Sequence, residues 1–328
     1  MQSEVALTYN SSGVDIDENQ KANRMLSEIV GKTLSEGVVS QPGFFSGAIR
    51  LNSLLRGNQN HLVCDSLSEQ SFESFDLDET VKWFACLDYF AATPLKSNSV
   101  LDYVRRLANF CLKKKIAILG GETAEMPGVI CKESQETVTH FFGLGGAQKS
   151  EVKILDSGFI YRGESLNLAK LNSDHPNSCL VMSSDGVGTK TVLASEFNQF
   201  DSIIGDILGH SQGDIACLGA VGIGVNLYLG LSNEELISKP NDLIQRVNNI
   251  CKSYGLKLLE LRTECKPEIY ELGQIDLCGT IVGLVNESSA LTGNRVKASQ
   301  VCIALPSNGL HTNGFSLVRR ILESSTLD

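Results

Sequence analysis

The sequence predicts an α/β (α+β) protein built from two tandem copies of one domain, with mixed sheets and helices outside. The first observation behind this prediction is that residues 224–268 align without a gap with residues 84–128 at an offset of 140. The second is that each segment reads as an apolar run, an amphipathic helix and another apolar run, which is the pattern of a strand-helix-strand unit. The third is that "HLVCDS" and "CLVMSS" align upstream at an offset of 118.

The helix in each copy is the clearest element. Its apolar residues recur at i, i+1, i+4 and i+8, a spacing that forms one stripe facing a core. Pro240 suits the first position of the second helix because proline lacks the N–H that has no partner there. The stripes are Tyr103, Val104, Leu107 and Cys111 in one copy and Leu243, Ile244, Val247 and Cys251 in the other.

The polar stretch "LNSDHPNS" predicts a domain boundary, giving domains at residues 1–178 and 179–328. An N-terminal arm at 7–17 and a helix within 14–37 are predicted ahead of the first copy. Each open sheet leaves an apolar face and an edge that need cover, so we expect the two copies to pack on one another.

The composition indicates a cytoplasmic protein. The net charge of −10 argues against a nucleic-acid groove, which needs a basic face. No apolar run is long enough to cross a bilayer, and no secretory signal is visible. The ten cysteines form no Cys-x-x-Cys pair, so buried reduced thiols are expected.

"SSDGVGTKT" follows the apolar run "CLVM" and precedes a predicted helix. Its glycines let the backbone approach phosphate oxygens, Lys190 supplies a positive charge, and Asp185 offers a metal ligand. The alternative interpretation is an ordinary glycine turn with a surface lysine. The residues of this candidate ATP-binding stretch are Asp185, Gly186, Val187, Gly188, Thr189 and Lys190.

Three further carboxylates are candidate metal ligands. Glu122 in "GGETAEMPG" lies on a glycine-turned loop, and Asp214 lies in a predicted helix. Asp276 begins a strand-like run where an inward carboxylate needs a cation or a hydrogen-bond donor. The alternatives are a solvated acidic turn, a helix-start aspartate and an exposed strand-start residue, respectively. In the first copy, Val138 is taken as the counterpart of Asp276.

"PSNGLHTNGFSLVRRIL" places His311 and Asn313 on a turn before an amphipathic helix. His311 would act as a proton carrier or as a hydrogen-bond donor to phosphate. The alternative is that the segment serves only to cap the helix and shape the turn. The remaining histidines, among them His210, show no ligand spacing and are interpreted as incidental.

Taken together and in this order, the motifs resemble the signatures of the phosphoribosylformylglycinamidine cyclo-ligase (aminoimidazole ribonucleotide synthetase) family. The similar stretches are "LTYNSSGVDID", "LDYFA", "GGETAEMPG", "DGVGTK" and "GLHTNGFSLVRRIL". "ETAEMPG" is the discriminating one. The resemblance covers nearly the whole chain as two AIR-synthetase N-terminal-like domains, with no counterpart of the family's C-terminal domain.

The resemblance implies a pseudo-dimeric barrel with ATP and Mg²⁺ at one composite interface and a degenerate second interface. The metal would be held by Asp185, Asp214, Glu122 and Asp276, and Asn313 would join the ATP-binding residues. Lys190 and His311 would be catalytic.

The implied reaction is the ATP-dependent cyclisation of formylglycinamidine ribonucleotide, a small-molecule nucleotide, to aminoimidazole ribonucleotide in de novo purine biosynthesis. A partner chain would supply the missing domain. Two alternatives stay open: a non-catalytic nucleotide-binding or scaffold subunit, and another ATP-dependent phosphoryl transferase of the same superfamily.

Overall fold

Two amphipathic helices match the apolar stripes of the sequence. The structure is a computed structural model and describes residues 8–12, 25–41, 46–55, 58–68, 72 and 77–324. Helix α3 spans Ser97–Lys114 and helix α7 spans Pro240–Ser253, with Pro240 in its first turn. Every residue of both predicted stripes is buried, so these predictions are confirmed. The other helical segments are α1 (residues 25–31), α2 (Leu51–Leu54), α4 (Leu168–Asp174), α5 (Lys190–Glu196), α6 (Phe200–Ala216) and α8 (Phe315–Ser324).

The strands form two mixed sheets with related connections. Sheet 1 has the order β4-β3-β5-β2-β8, and sheet 2 has the order β1-β9-β12-β10-β11-β7-β6. In each sheet one pair of strands is parallel and is connected by a crossover helix: α3 joins β3 to β4, and α7 joins β10 to β11. The remaining pairs are antiparallel. The strands are β1 (Gly47–Arg50), β2 (His61–Leu67), β3 (Lys82–Thr93), β4 (Ala117–Glu125), β5 (Ser134–Gly145), β6 (Glu151–Leu155), β7 (Gly158–Arg162), β8 (Leu166–Asn167), β9 (Ser178–Gly186), β10 (Val221–Leu231), β11 (Lys257–Cys265) and β12 (Ile275–Asn286).

The helices lie outside the sheets, and the sheets face one another. One buried apolar cluster packs α3 on sheet 1, and another packs α6 and α7 on sheet 2. Between the sheets, leucines of β2, β3 and β4 contact Leu180, Met182 and Val282 of sheet 2. The mixed α/β fold predicted from the sequence is confirmed.

Where the sheets meet, contacts occur in reciprocal pairs. The Cys131 amide donates to the Ile269 carbonyl at 2.8 Å, and the Glu271 amide donates to the Val129 carbonyl at 2.9 Å. Ile130 and Tyr270 form an antiparallel bridge between these two bonds. At the offset of 140 each of these contacts maps onto its reciprocal.

The ladders correct the alignment of one strand. Tyr89 pairs with Val138 in sheet 1, and Tyr228 pairs with Cys278 in sheet 2, so Tyr89 and Tyr228 are equivalent and β3 aligns with β10 at an offset of 139. The gapless offset of 140 is wrong for this strand because the connection after it differs by one residue. A one-residue shift turns every side chain to the other face.

The same ladders identify a different counterpart for Asp276. Gly230 pairs with Asp276 and the equivalent Ala91 pairs with Glu136. Glu136, not Val138, therefore occupies the position of Asp276 in sheet 1, and both sheets carry a buried carboxyl there.

Other sequence features have mixed outcomes. The predicted arm at 7–17 and the start of the predicted helix fall largely outside the described residues, and residues 25–31 are helical. Strands from both sides of residue 178 join sheet 2, because β7 pairs with β11 and β1 pairs with β9. All ten cysteines are free and six are buried. Among the described residues, no helix is long and apolar enough to span a membrane.

Candidate functional site

A cavity of about 620 Å³ opens between the two sheets. Its lining includes the middle of β4, the C-terminal half of β9 and residues of α6. Glu122 comes from sheet 1, whereas Asp185, His210 and Asp214 come from sheet 2 and its helix. The wall also includes Asp88, Gly120, Gly121, Thr123, Ser183, Ser184 and Asn313. The structure thus brings Glu122, Asp185, Asp214 and Asn313 of the predicted site to one cavity.

Asp185, His210 and Asp214 form its most tightly grouped donors. One ligand atom from each lies within 4.8 Å of the others. His210 Nε2 is 2.7 Å from the Asp185 carboxylate and 3.9 Å from the Asp214 carboxylate. The hydrogen bond to Asp185 raises the pKa of His210, although burial opposes the rise. Oxygen and imidazole donors at these separations fit a divalent cation.

Helix α6 sets the positions of His210 and Asp214. They are four residues apart and therefore project from one helical face. Asp214 lies in the last turn of α6, which ends at Ala216. The alternative interpretation of Asp214 as a helix-start residue is therefore wrong. The C-terminal end of a helix repels a carboxylate, so Asp214 gains nothing from the helix dipole and needs another positive partner.

Glu122, which lies within strand β4 rather than on the predicted loop, adds a further carboxyl group to the cavity. Burial is the main factor that raises its pKa well above the usual value, and Asp185, Asp214 and Asp88 raise it further. The pKa of Asp214 is also raised, first by burial, while His210 opposes the rise. The carboxyl groups therefore repel one another, and a bound cation would relieve that repulsion.

The glycine turn lies beside the cavity rather than in its described wall. Gly188 has φ of +73°, and Lys190 begins α5, as the strand-turn-helix pattern predicts. A Cβ on Gly186 would approach the Tyr89 ring to 2.7 Å, so this glycine permits close packing between the sheets. Val187 and Thr189 are buried. Lys190 Nζ binds the Asp206 carboxylate at 2.6 Å and the His311 carbonyl at 2.8 Å.

The loop before α8 contributes different atoms from those expected. The exposed His311 ring bonds to Asn308 at 2.7 Å and lies outside the cavity wall. Its neighbour Thr312 is buried, and its hydroxyl bonds to Nδ1 of His210. Asn313 lines the cavity. The segment thus approaches the site through Thr312 and Asn313.

Asp276 lies apart from the other predicted metal ligands. It is fully buried, and the Tyr89 hydroxyl donates to it at 3.2 Å across the sheet interface. Burial raises its pKa to about 7. Reciprocally, the Tyr228 hydroxyl donates to Glu136 at 3.3 Å. The prediction of an inward carboxyl is therefore correct, and its partner is a hydrogen-bond donor, the tyrosine hydroxyl, rather than a place in the cavity with the other predicted metal ligands.

The second place where the sheets meet has the opposite charge arrangement. Arg262 occupies the ladder position equivalent to Glu122, because Tyr228 pairs with Arg262 as Tyr89 pairs with Glu122. Arg262 forms an ion pair with Glu264, and Lys266 binds Glu136 at 2.9 Å. This interface supplies its own cations, whereas the cavity at Glu122 gathers carboxylates around one histidine.

Two cavity residues were missed by the sequence interpretation. His210 was set aside because the remaining histidines show no ligand spacing, although the i, i+4 spacing of His210 to Asp214 was a usable signal. Asp88 lies in the apolar strand β3, where burial raises its pKa to about 7. The Asp88 side chain occupies the space that a Cβ on Gly121 would fill. The strand ladder was needed to identify that contact.

Comparisons with known proteins show that part of the chain is similar to a described family model. Residues 167–285 match the AIR synthase related protein, N-terminal domain. A phosphoribosylformylglycinamidine cyclo-ligase of Neisseria meningitidis is 32% identical over 161 residues, which cover 49% of this chain and 46% of that protein. The Picosynechococcus enzyme of the same name is 39% identical over 151 residues, covering 45% and 43%. The matched region spans less than half the length of these relatives.

The similarity to solved structures is weaker. Thermotoga maritima PurL complexed with ATP gives a TM-score of 0.45 at 8% identity, covering 83% of this chain and 80% of that one. A hydrogenase maturation protein of Escherichia coli, HypE, gives a TM-score of 0.28 at 13% identity, covering 80% and 91%. Neither likeness is strong enough to bear on function.

Proposed function

We propose that the chain, which carries an AIR synthase related N-terminal domain at residues 167–285, binds a metal-nucleotide in the cavity between its two sheets. The observation that carries this proposal is the meeting of Glu122 with Asp185 and Asp214 around one cavity, although they come from different sheets. Mutually repelling carboxyl groups beside a cavity of this size suit a divalent cation with phosphate oxygens on its open side.

We further propose that residues 1–178 and 179–328 are two copies of one domain that pair as a pseudo-dimeric barrel. The shared strand order supports this proposal. So do the reciprocal hydrogen bonds at Cys131 and Glu271 and the matched tyrosine-carboxyl pairs. The interface at Arg262 is then the degenerate counterpart of the nucleotide site, because its own cations neutralise it.

The residues take roles that follow from their positions. Asp185, Asp214 and Glu122 hold Mg²⁺, while Asn313 contacts the nucleotide from the cavity wall. The backbone of 186–189 approaches the phosphates beside Lys190. We retain Lys190 and His311 as the phosphate-binding and proton-carrying groups, since Lys190 donates to the His311 carbonyl and His311 lies two residues from Asn313. Asp276 has a structural role, because it accepts a hydrogen bond from the Tyr89 hydroxyl.

The proposed reaction is ATP-dependent ring closure of formylglycinamidine ribonucleotide to aminoimidazole ribonucleotide. Activation of the substrate amide by the γ-phosphoryl group requires charge neutralisation and alignment, and little covalent participation by the protein. The curated relatives that bear the cyclo-ligase name support this choice over other phosphoryl transfers.

The test is substrate-dependent ADP release from purified chain, Mg·ATP and formylglycinamidine ribonucleotide. Calorimetry should show that Glu122→Gln and Asp185→Asn each weaken Mg·ATP binding about tenfold or more, equivalent to ~1.4 kcal/mol. Glu234→Gln changes an exposed carboxylate outside the cavity and should leave affinity unchanged. Unaltered binding by Glu122→Gln would refute the composite site.

A second candidate is a nucleotide-binding subunit without catalysis of its own. It is favoured by the engagement of Lys190 with Asp206 and of the His311 ring with Asn308, both outside the cavity wall. Tight ATP binding without ADP release, with this or any other acceptor tried, would select this candidate. Release with a different acceptor would instead identify another phosphoryl transferase.

A further inference from the structure

His210 gives the proposed cation site a donor that magnesium sites made only of oxygen lack. Its ring lies 2.7 Å from the Asp185 carboxylate and shares one helical face with Asp214. Donor atoms bound to one cation at about 2.0–2.2 Å are separated by roughly 3–4 Å. The 4.8 Å limit that encloses these three side-chain atoms is close to that span, so small side-chain movements suffice.

The other ring nitrogen of His210 is already engaged. Its Nδ1 bonds to the hydroxyl of the buried Thr312. A histidine that binds a metal commonly uses its second nitrogen in this way, which fixes the ring and its tautomer. When Nδ1–H donates to Thr312, release of the Nε2 proton that is shared with Asp185 leaves on Nε2 a lone pair directed toward Asp185 and the cavity. Ser183 similarly donates to Asp214 at 3.2 Å and fixes that carboxylate.

Ser184 provides an independent indication of a ligand. It lines the same cavity, is 6% exposed, and its hydroxyl has no hydrogen-bond partner among the described residues. A buried hydroxyl without a partner costs free energy, which a bound ligand or its water recovers. The unpartnered hydroxyl directly precedes Asp185 in the chain.

We propose that His210 Nε2 coordinates the cation together with Asp185 and Asp214, so that the site prefers a first-row transition metal such as Mn²⁺ or Co²⁺ over Mg²⁺. Imidazole nitrogen raises affinity for these metals, whereas magnesium favours oxygen donors. The inference rests on the proposed cation site but not on the reaction performed there. It distinguishes this cavity from an oxygen-only site.

The test compares metal binding by the intact chain with and without this nitrogen. Calorimetry measures Mg²⁺ and Co²⁺ affinity for the wild type, for His210→Asn, and for His175→Asn, which makes the same change at an exposed histidine. We expect the Co²⁺ to Mg²⁺ affinity ratio to fall about tenfold or more in His210→Asn only. An unchanged ratio, or no metal binding by the wild type, would overturn the inference.

Pulsed electron paramagnetic resonance of Mn²⁺ on the wild type gives a readout that does not depend on the stability of any variant. A histidine nitrogen coupling is expected, and its absence would refute coordination by His210. If the nitrogen coupling is present but ATP is neither bound nor hydrolysed, coordination by His210 is supported and the proposed function is refuted. If ATP is turned over but the coupling is absent, the proposed function is supported and coordination by His210 is refuted.

Discussion

Lys266→Met removes the cation from a carboxylate buried between the two sheets. Glu136 is 2% exposed and receives the Lys266 ammonium at 2.9 Å. Breaking a buried ion pair by deleting one partner costs ~3–5 kcal/mol because an uncompensated charge remains. Tyr228 and Tyr270 still donate to Glu136, at 3.3 and 3.0 Å, so we expect the lower end, about 3 kcal/mol at pH 8.

The loss should depend on pH in a defined direction. Burial already raises the pKa of Glu136, with Lys266 opposing the rise. Removing the lysine raises the folded-state pKa further. Between the unfolded pKa and this higher folded pKa, the folded state binds more protons, so stability falls as pH increases. Lys266→Met should therefore be less destabilising at pH 5.5 than at pH 8.

Urea unfolding at the two pH values measures both effects. Lys96→Met is the matched control, since Lys96 forms a 2.6 Å ion pair with Glu133 at an exposed site, and it should barely change the unfolding midpoint. Glu136→Gln in the Lys266→Met background should restore most of the lost stability. The reasoning is refuted if Lys266→Met costs no more than the control, or if the second substitution does not rescue it.

Three further substitutions test the interface and helix α6. Tyr89→Phe leaves Asp276 without its tyrosine donor and should lower the free energy of unfolding by about 1–3 kcal/mol above pH 7. Tyr228→Phe should cost less, since Glu136 keeps its ion pair with Lys266. Equal losses for the two variants in urea unfolding would contradict this. Gly186→Ala pushes a methyl group into the Tyr89 ring and should lower the melting temperature, whereas Gly146→Ala, with open space around it, should not. Gly209→Ala lies within α6 with no atom near its Cβ and should stabilise the protein by about 0.5–1 kcal/mol; a lower melting temperature would count against it.

The sequence predicted elements whose signals are local. The stripes of α3 and α7 depend on helical period alone, and the glycine turn after β9 depends on backbone freedom. The one-residue error in β3 arose because composition does not reveal where a loop lengthens. Strand register depends on contacts across the ladder, which identified Glu136 as the counterpart of Asp276.

The candidate site was predicted by its carboxylates and missed by its histidine. Asp185, Asp214 and Glu122 stood out because acidic residues near glycine turns are conspicuous in an apolar sequence. The i, i+4 spacing of His210 to Asp214 was a usable signal, but its contact with Asp185, a residue 25 positions earlier in the chain, could be seen only in the fold. The side-chain direction of His311 likewise depends on Asn308, which no periodic pattern specifies.

The contrast between Glu122 and Arg262 has a consequence for how such a site can change. In a symmetric assembly of identical subunits, any substitution appears at both interfaces at once. Here both sheets belong to one polypeptide, so one junction holds opposed acids while the other carries permanent basic side chains. Dilution cannot separate the two halves, and each junction is free to follow its own evolutionary course.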